Sequence, residues 1–187
     1  MKILTLALFL RIIIDMKDGR TKTGKMVALR AALTIACVAL VAFIFFNSAK
    51  TGDETVSQSS FVTDAVQKII GFFAPKSWIA TATGEEYERL HGYVRTLAHF
   101  SEFALLGALM AWCWRAYTDD KLCFVFPVCL ALFIPVLDES LQFFTAGRVA
   151  DTSDLFVDTL GGFCGLAFAI ATLFIGKAVL AKKRKGD

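Results

Sequence analysis

Three apolar stretches of this chain carry residues able to move protons or hold charge: Arg95, His99 and Glu102; Asp138, Glu139 and Gln142; and Arg148, Asp154 and Asp158. An imidazole beside carboxylates is suited to general acid or base work, and two guanidinium groups are suited to gripping a phosphate or carboxylate. At the hydrocarbon centre of a bilayer such charges cost about 2.5–3.5 kcal/mol each, so they should face a protein interior or an aqueous cavity. Their spacing agrees. Arg95, His99 and Glu102 fall at i, i+4 and i+7 and share one helix face. Asp138 and Gln142 are four apart with Glu139 alongside, and Asp151, Asp154 and Asp158 follow at i, i+3 and i+7.

The elements that must position these residues are membrane helices. Of 187 residues, 56% are hydrophobic, which fits one small integral membrane domain rather than a soluble one. The net charge of +3 is modest, and the basic residues cluster at the two ends without interleaved aromatics, which excludes nucleic acid as a partner. Cys37, Cys113, Cys123, Cys129 and Cys164 all lie in apolar runs without metal or redox spacing and read as small core residues. No internal repeat is present.

The expected fold is all-α: a four-transmembrane-helix bundle with an amphipathic helical excursion between spans 1 and 2. The chain divides into an N-terminal apolar and basic segment (1–25), a membrane domain (26–176) and a basic tail (177–187). The run 1–14 is too short to span and lacks a signal-peptide cleavage site; it lies at the inner interface, or translation begins at Met16 or Met26. The first span is expected over 26–46, with Arg30 snorkelling near its start. In the excursion, Phe61, Val62, Ala65, Val66, Ile69, Ile70 and Phe73 recur at helical spacing, giving a helix that lies on the bilayer or on the bundle. Thr83-x-x-Glu86 reads as a capping box opening a helix that runs into the second span, 97–117, and His91 reads as a solvated surface residue. A short turn leads to the third span, 122–137, where Pro127 and Pro135 should kink the helix and DESLQ marks its end. The fourth span is expected over 154–176, where Gly161 and Gly165 form a GxxxG face for another helix, including one from a second copy in a homo-oligomer.

Lys and Arg number seven over residues 1–30, two over 115–121 and five over 177–187, against one over 138–153. By the positive-inside rule both termini are cytoplasmic. The polar residues of three helices then gather at the outer face, with Arg95 and Arg148 as the counter-ions of their clustered carboxylates and Arg95 expected within interaction distance of Asp138 and Glu139.

The ordered blocks R-x3-H-F-x-E-F-x-L-L-G (95–107), D-E-x2-Q-x-F (138–144), G-R (147–148) and D-x3-D-x2-G-x3-G (154–165) resemble the VanZ-like family of bacterial membrane proteins. The segment 46–60 resembles that family's polar stretch after its first span. Phe103 stands where many members have Tyr, and Thr145-Ala146 replaces a Pro-containing approach to Gly147. The resemblance implies a multi-pass cell-membrane protein, a namesake linked to low-level teicoplanin resistance, and a polar signature falling on Arg95, His99, Glu102, Asp138, Glu139, Gln142, Gly147, Arg148, Asp154 and Asp158. It implies no general reaction mechanism.

Three readings stand open from the sequence. In the first, the polar set is a buried network that only fixes helix register. In the second, Arg95, Asp138, Glu139, Gln142, Arg148, Asp154 and Asp158 bind a cell-envelope lipid or lipid-linked precursor. In the third, His99 is a general acid or base tuned by Glu102 or Asp138. No cofactor is implied. His99-x-x-Glu102 with acids on two other helices resembles the carboxylate sites of helical bundles, but with one histidine in the cluster no metal is assigned.

Overall fold

The computed structural model describes residues 23–118, 120, 124–148 and 152–186. The N-terminal run, Lys121, Cys123 and Asp151 lie outside the described residues. The described elements are six helices: α1 (Thr23–Ser48), α2 (Gly52–Phe73), α3 (Trp78–Thr81), α4 (Glu85–Tyr117), α5 (Val125–Phe143) and α6 (Thr152–Gly186). Four are long and apolar enough to cross a membrane: Gly24–Ser48, Glu85–Tyr117, Val125–Phe143 and Thr152–Val179. Their exposed side chains, among them Ile35, Phe43, Phe133, Phe156, Phe168 and Phe174, suit a bilayer and not water. Among the described cysteines, Cys129 and Cys164 share that exposure and are not the core residues the apolar runs suggested, whereas Cys37 and Cys113 are half-buried and Cys37 packs against the core.

The core is small and continuous. Ile44 of α1, Phe103, Leu106 and Ala111 of α4, Ala131 and Ile134 of α5, and Leu166 and Ala169 of α6 form one buried cluster. Its axis is the parallel pairing of α4 with α6. A Cβ added at Gly161 would collide with the Phe100 carbonyl, one at Gly165 with the Ala104 carbonyl, and one at Gly107 with the Gly162 carbonyl. The GxxxG face is therefore filled by this chain's own α4, backbone against backbone, and is not free to join two copies. Farther along, Trp112 donates to Thr172 Oγ1 at 3.2 Å. In the other direction the same ladder begins with Arg95 on Asp154 and His99 on Asp158.

The third span is a longer helix than its apolar run. Pro127 sits in the first turn of α5, where an N–H has no intrahelical partner in any case. The helix continues through Pro135 to Phe143, so Asp138, Glu139 and Gln142 lie inside its last turns and not beyond its end.

Two identical T-G-x-E starts behave differently. Thr51 caps α2: its side chain accepts from the Glu54 N–H while Glu54 accepts from the Thr51 N–H. Thr83 forms no such box, because Gly84 takes φ 58° and becomes the N-cap of α4 without a side-chain bond. At the first start the chain is held from outside: the Gly52 N–H donates to the Ala146 carbonyl at 3.2 Å. Gly52 also packs so close to Gly147 that a Cβ there would strike its carbonyl.

The excursion lies against α4 through polar contacts. Tyr87 donates to Asp64 Oδ1 at 2.7 Å, and His91 Nε2 shares a 2.6 Å hydrogen bond with Ser59. His91 is thus a half-buried pin between α2 and α4, not a solvated residue. The Gln67 amide donates to the Ile79 and Ala82 carbonyls, fixing the short α3 turn. Phe61, Ile69, Phe72 and Phe73 remain exposed on α2.

Candidate functional site

At one end of the bundle the C-terminus of α1, the N-terminal half of α4, the last turns of α5 and the first turns of α6 meet. Two of the sequence-predicted residues lie at its mouth. The Arg95 Nη2 donates to Asp154 Oδ2 at 2.6 Å, with the arginine side chain 40% exposed. The arginine of α4 thus finds its carboxylate on α6, where the sequence suggested the acids of the third span. Deeper, His99 Nδ1 lies 3.5 Å from Asp158 Oδ1, so the imidazole's nearest acid is Asp158 and not Glu102 or Asp138. Both pairs are 59 residues apart because α4 and α6 run parallel with a fixed offset.

Asp138 is 0% exposed, yet it has two donors: Ser48 gives a 2.6 Å hydrogen bond to Oδ1 and Gln142 a 3.0 Å bond to Oδ2. Gln142, one turn on along α5, is itself buried and donates to this carboxylate from the same helix face. Asp158 is 1% exposed, and neither of its carboxylate oxygens has a hydrogen-bond donor; His99 Nδ1 likewise lacks a hydrogen bond. His99, Asp138 and Asp158 each offer a ligand atom within 4.8 Å of the others'. Three helices therefore converge on one point.

Arg148 follows the turn at Gly147, whose φ of 73° is the left-handed conformation that favours glycine. Its Nη1 donates to the Asn47 and Ser48 carbonyls at 3.3 and 3.4 Å, placing a cation on the C-terminus of α1. Burial pushes the Arg148 guanidinium below its ordinary pKa and the nearby Arg95 charge adds to this, while Asp138, Asp154 and Glu139 act in the opposite sense. Thr145 completes the closure by donating to the Ser48 carbonyl at 3.3 Å.

A cavity of about 140 Å³ opens among these groups, lined by Arg95, His99, Glu102 and Arg148 and closed on the excursion side by Thr55, Gln58 and Ser59 of α2. Glu139 instead lines an apolar groove with Val136, Phe143, Phe144 and Leu155. Of the nine polar residues singled out in the sequence, four line the cavity, Asp138, Gln142 and Asp158 lie in the buried cluster, Asp154 holds Arg95, and Glu139 faces the separate groove. The sequence reading did not assign Ser48 or Asn47 to the site. Their signal was available: both close an apolar run and open the polar stretch 46–60.

The arrangement defines a multi-pass helical membrane protein with a polar site at one end of its bundle. A family model described as VanZ/LLP1 matches residues 33–175, more than half of the chain, and the chain belongs to the VanZ/LLP1 family. No curated protein and no solved structure matches it.

Proposed function

We propose that the chain binds the phosphate-bearing headgroup of a cell-envelope lipid or lipid-linked precursor in the Arg95–Arg148 cavity, at the outer face of the membrane, with both termini cytoplasmic. The observation that carries this reading is that two guanidinium groups from different elements line one cavity. Each retains N–H donors beyond those it uses within the protein, and guanidinium forks match phosphate oxygens. At about 140 Å³ the cavity holds a phosphate and its nearest atoms, leaving the remainder of a lipid outside along the bilayer. The exposed Phe61, Ile69, Phe72 and Phe73 suit α2 to the membrane interface, which would put the cavity it walls at headgroup level. The basic flanks at both chain ends support the orientation. Through the family resemblance the proposal extends to tolerance of teicoplanin-type glycopeptides.

The position of His99 on the cavity wall, against Asp158, favours a second reading in which this imidazole is a general acid or base on the bound headgroup. One experiment addresses both. Native mass spectrometry of the detergent-solubilised chain should show retention of a polyprenyl phosphate over the matching polyprenol, reduced at least about tenfold in R95Q/R148Q. Equal retention of the alcohol, or undiminished binding by the double variant, would sink the binding proposal. Conversion of the bound lipid by wild type but not by H99Q would establish the second reading, and its absence in wild type would remove it. The same double variant should fail to support teicoplanin tolerance in a sensitive bacterium.

A further inference from the structure

We propose that His99, Asp138 and Asp158 form a binding site for a divalent first-row cation of the Zn2+ class. The proposal goes beyond headgroup binding and does not depend on it.

Three observations lead there. The first is convergence: an imidazole from α4, a carboxylate from α5 and a carboxylate from α6 present ligand atoms within 4.8 Å of one another. The second is Asp158, 1% exposed with both oxygens lacking a hydrogen-bond donor and Oδ1 directed at an imidazole nitrogen that also lacks one. A buried carboxylate left without donors is a costly arrangement, and a cation relieves it directly. The third is distance. A charge-assisted hydrogen bond between imidazole and carboxylate is about 2.7–2.9 Å long. The 3.5 Å from His99 Nδ1 to Asp158 Oδ1 is too long for that. It is close to the edge of a tetrahedron of N and O ligands around Zn2+, about 3.3–3.6 Å for metal–ligand bonds of 2.0–2.2 Å.

The surroundings suit a metal. Ser48 and Gln142 each donate to one oxygen of Asp138, fixing the carboxylate plane while leaving a lone pair on each oxygen, as the outer hydrogen bonds of metal-binding carboxylates do. Two carboxylates balance the double charge, so the buried group is neutral as a whole. Three protein ligands leave a fourth position, and His99 borders the cavity, so that position is reachable by water or a ligand oxygen. An imidazole among the ligands and only three protein donors favour Zn2+, Co2+, Mn2+ or Fe2+ over Ca2+ and Mg2+. HExxH-type spacing was absent because the ligands come from three helices, with one residue each.

The test uses the full chain in detergent, with any affinity tag removed, treated with chelator and then titrated with Zn2+. The expected result is about one Zn2+ retained per chain at micromolar concentration, with affinity lowered about 10–100-fold in S48A, which loses only a donor to Asp138, and more in D158N. The chain has two histidines, and His91 lies outside the cluster. In H91Q the sole remaining imidazole is His99, so pulsed electron paramagnetic resonance of the Cu2+-loaded variant should show coupling to one imidazole nitrogen without any change to the cluster. Absence of stoichiometric Zn2+, absence of that coupling, or equal affinity in a folded D158N would overturn the proposal. Thiolate-to-metal charge transfer in the Co2+ form would also overturn it by assigning the metal to cysteine.

Discussion

The two ends of the bundle solve the same closure problem with different residues. At the end away from the site, Arg30 of α1 donates to the Ala116 carbonyl at 2.9 Å and lies over the Tyr117 ring, capping α4. At the site end, Arg148 donates to the Asn47 and Ser48 carbonyls and caps α1. Beyond that shared device they diverge. The Arg30 end carries an open apolar groove of about 340 Å³ bordered by Cys37, Met110, Cys113, Trp114 and Pro127, with Trp114 stacked on Phe126. The Arg148 end buries Asp138 and Asp158. Closing an end of this bundle thus takes one arginine on a helix C-terminus plus packing. Buried acids are not needed for it, which argues against a purely structural reading of the polar cluster.

The comparison is most exposed at the two aspartates. Asp138→Ala strands the Ser48 hydroxyl and the Gln142 amide and should destabilise the detergent-solubilised protein by about 3–5 kcal/mol, as breaking a buried charged network does. Asp158→Asn removes a buried charge that has no donors and should raise the melting temperature of the chelator-treated protein, corresponding to about 1–3 kcal/mol. Opposite signs from two equally buried acids would separate the one held by the fold from the one the fold merely tolerates. A loss of equal size in both would return the cluster to a structural role.

A smaller effect compares the caps. Arg30→Met and Arg148→Met each remove a cation from a helix C-terminus and should each lower stability by about 1–2 kcal/mol. Their similarity, measured by thermal unfolding in one detergent, would sharpen the equivalence of the two closures, whereas a much larger loss at Arg148 would break it. Smallest is the pair of T-G-x-E starts. Thr51→Ala, beside the site, should cost about 1 kcal/mol through its lost cap, and Thr83→Ala should fall within about 0.5 kcal/mol of wild type.

That last pair shows how far the sequence can be read. Both threonines carry the same local signature, and they differ in backbone and surroundings: Gly84 takes φ 58° and replaces Thr83 as the N-cap, while Gly52 docks against Ala146 and Gly147 across nearly a hundred residues. Local periodicity did place Arg95 four residues from His99 and Asp154 four from Asp158, and it yielded the four spans and the long helix through residue 97. It could not say that α4 and α6 run side by side with an offset that makes those rungs meet. The choice between Glu102, Asp138 and Asp158 as the neighbour of His99 was therefore not available from spacing. The GxxxG pattern was visible, but whether it faces this chain or a second copy depends on what fills it. Ser48 went unassigned because a serine at the end of an apolar run is also what any helix terminus shows.

The glycine seam between α4 and α6 has a mechanical consequence. Because Gly161 and Gly165 meet carbonyl groups directly, the two helices engage like toothed racks, and the next matching register lies a full helical turn away, about 5.4 Å. A slip of that size would carry His99 past Asp158 altogether. The helix register that brings the two side chains together is thus fixed by backbone contact at the glycines.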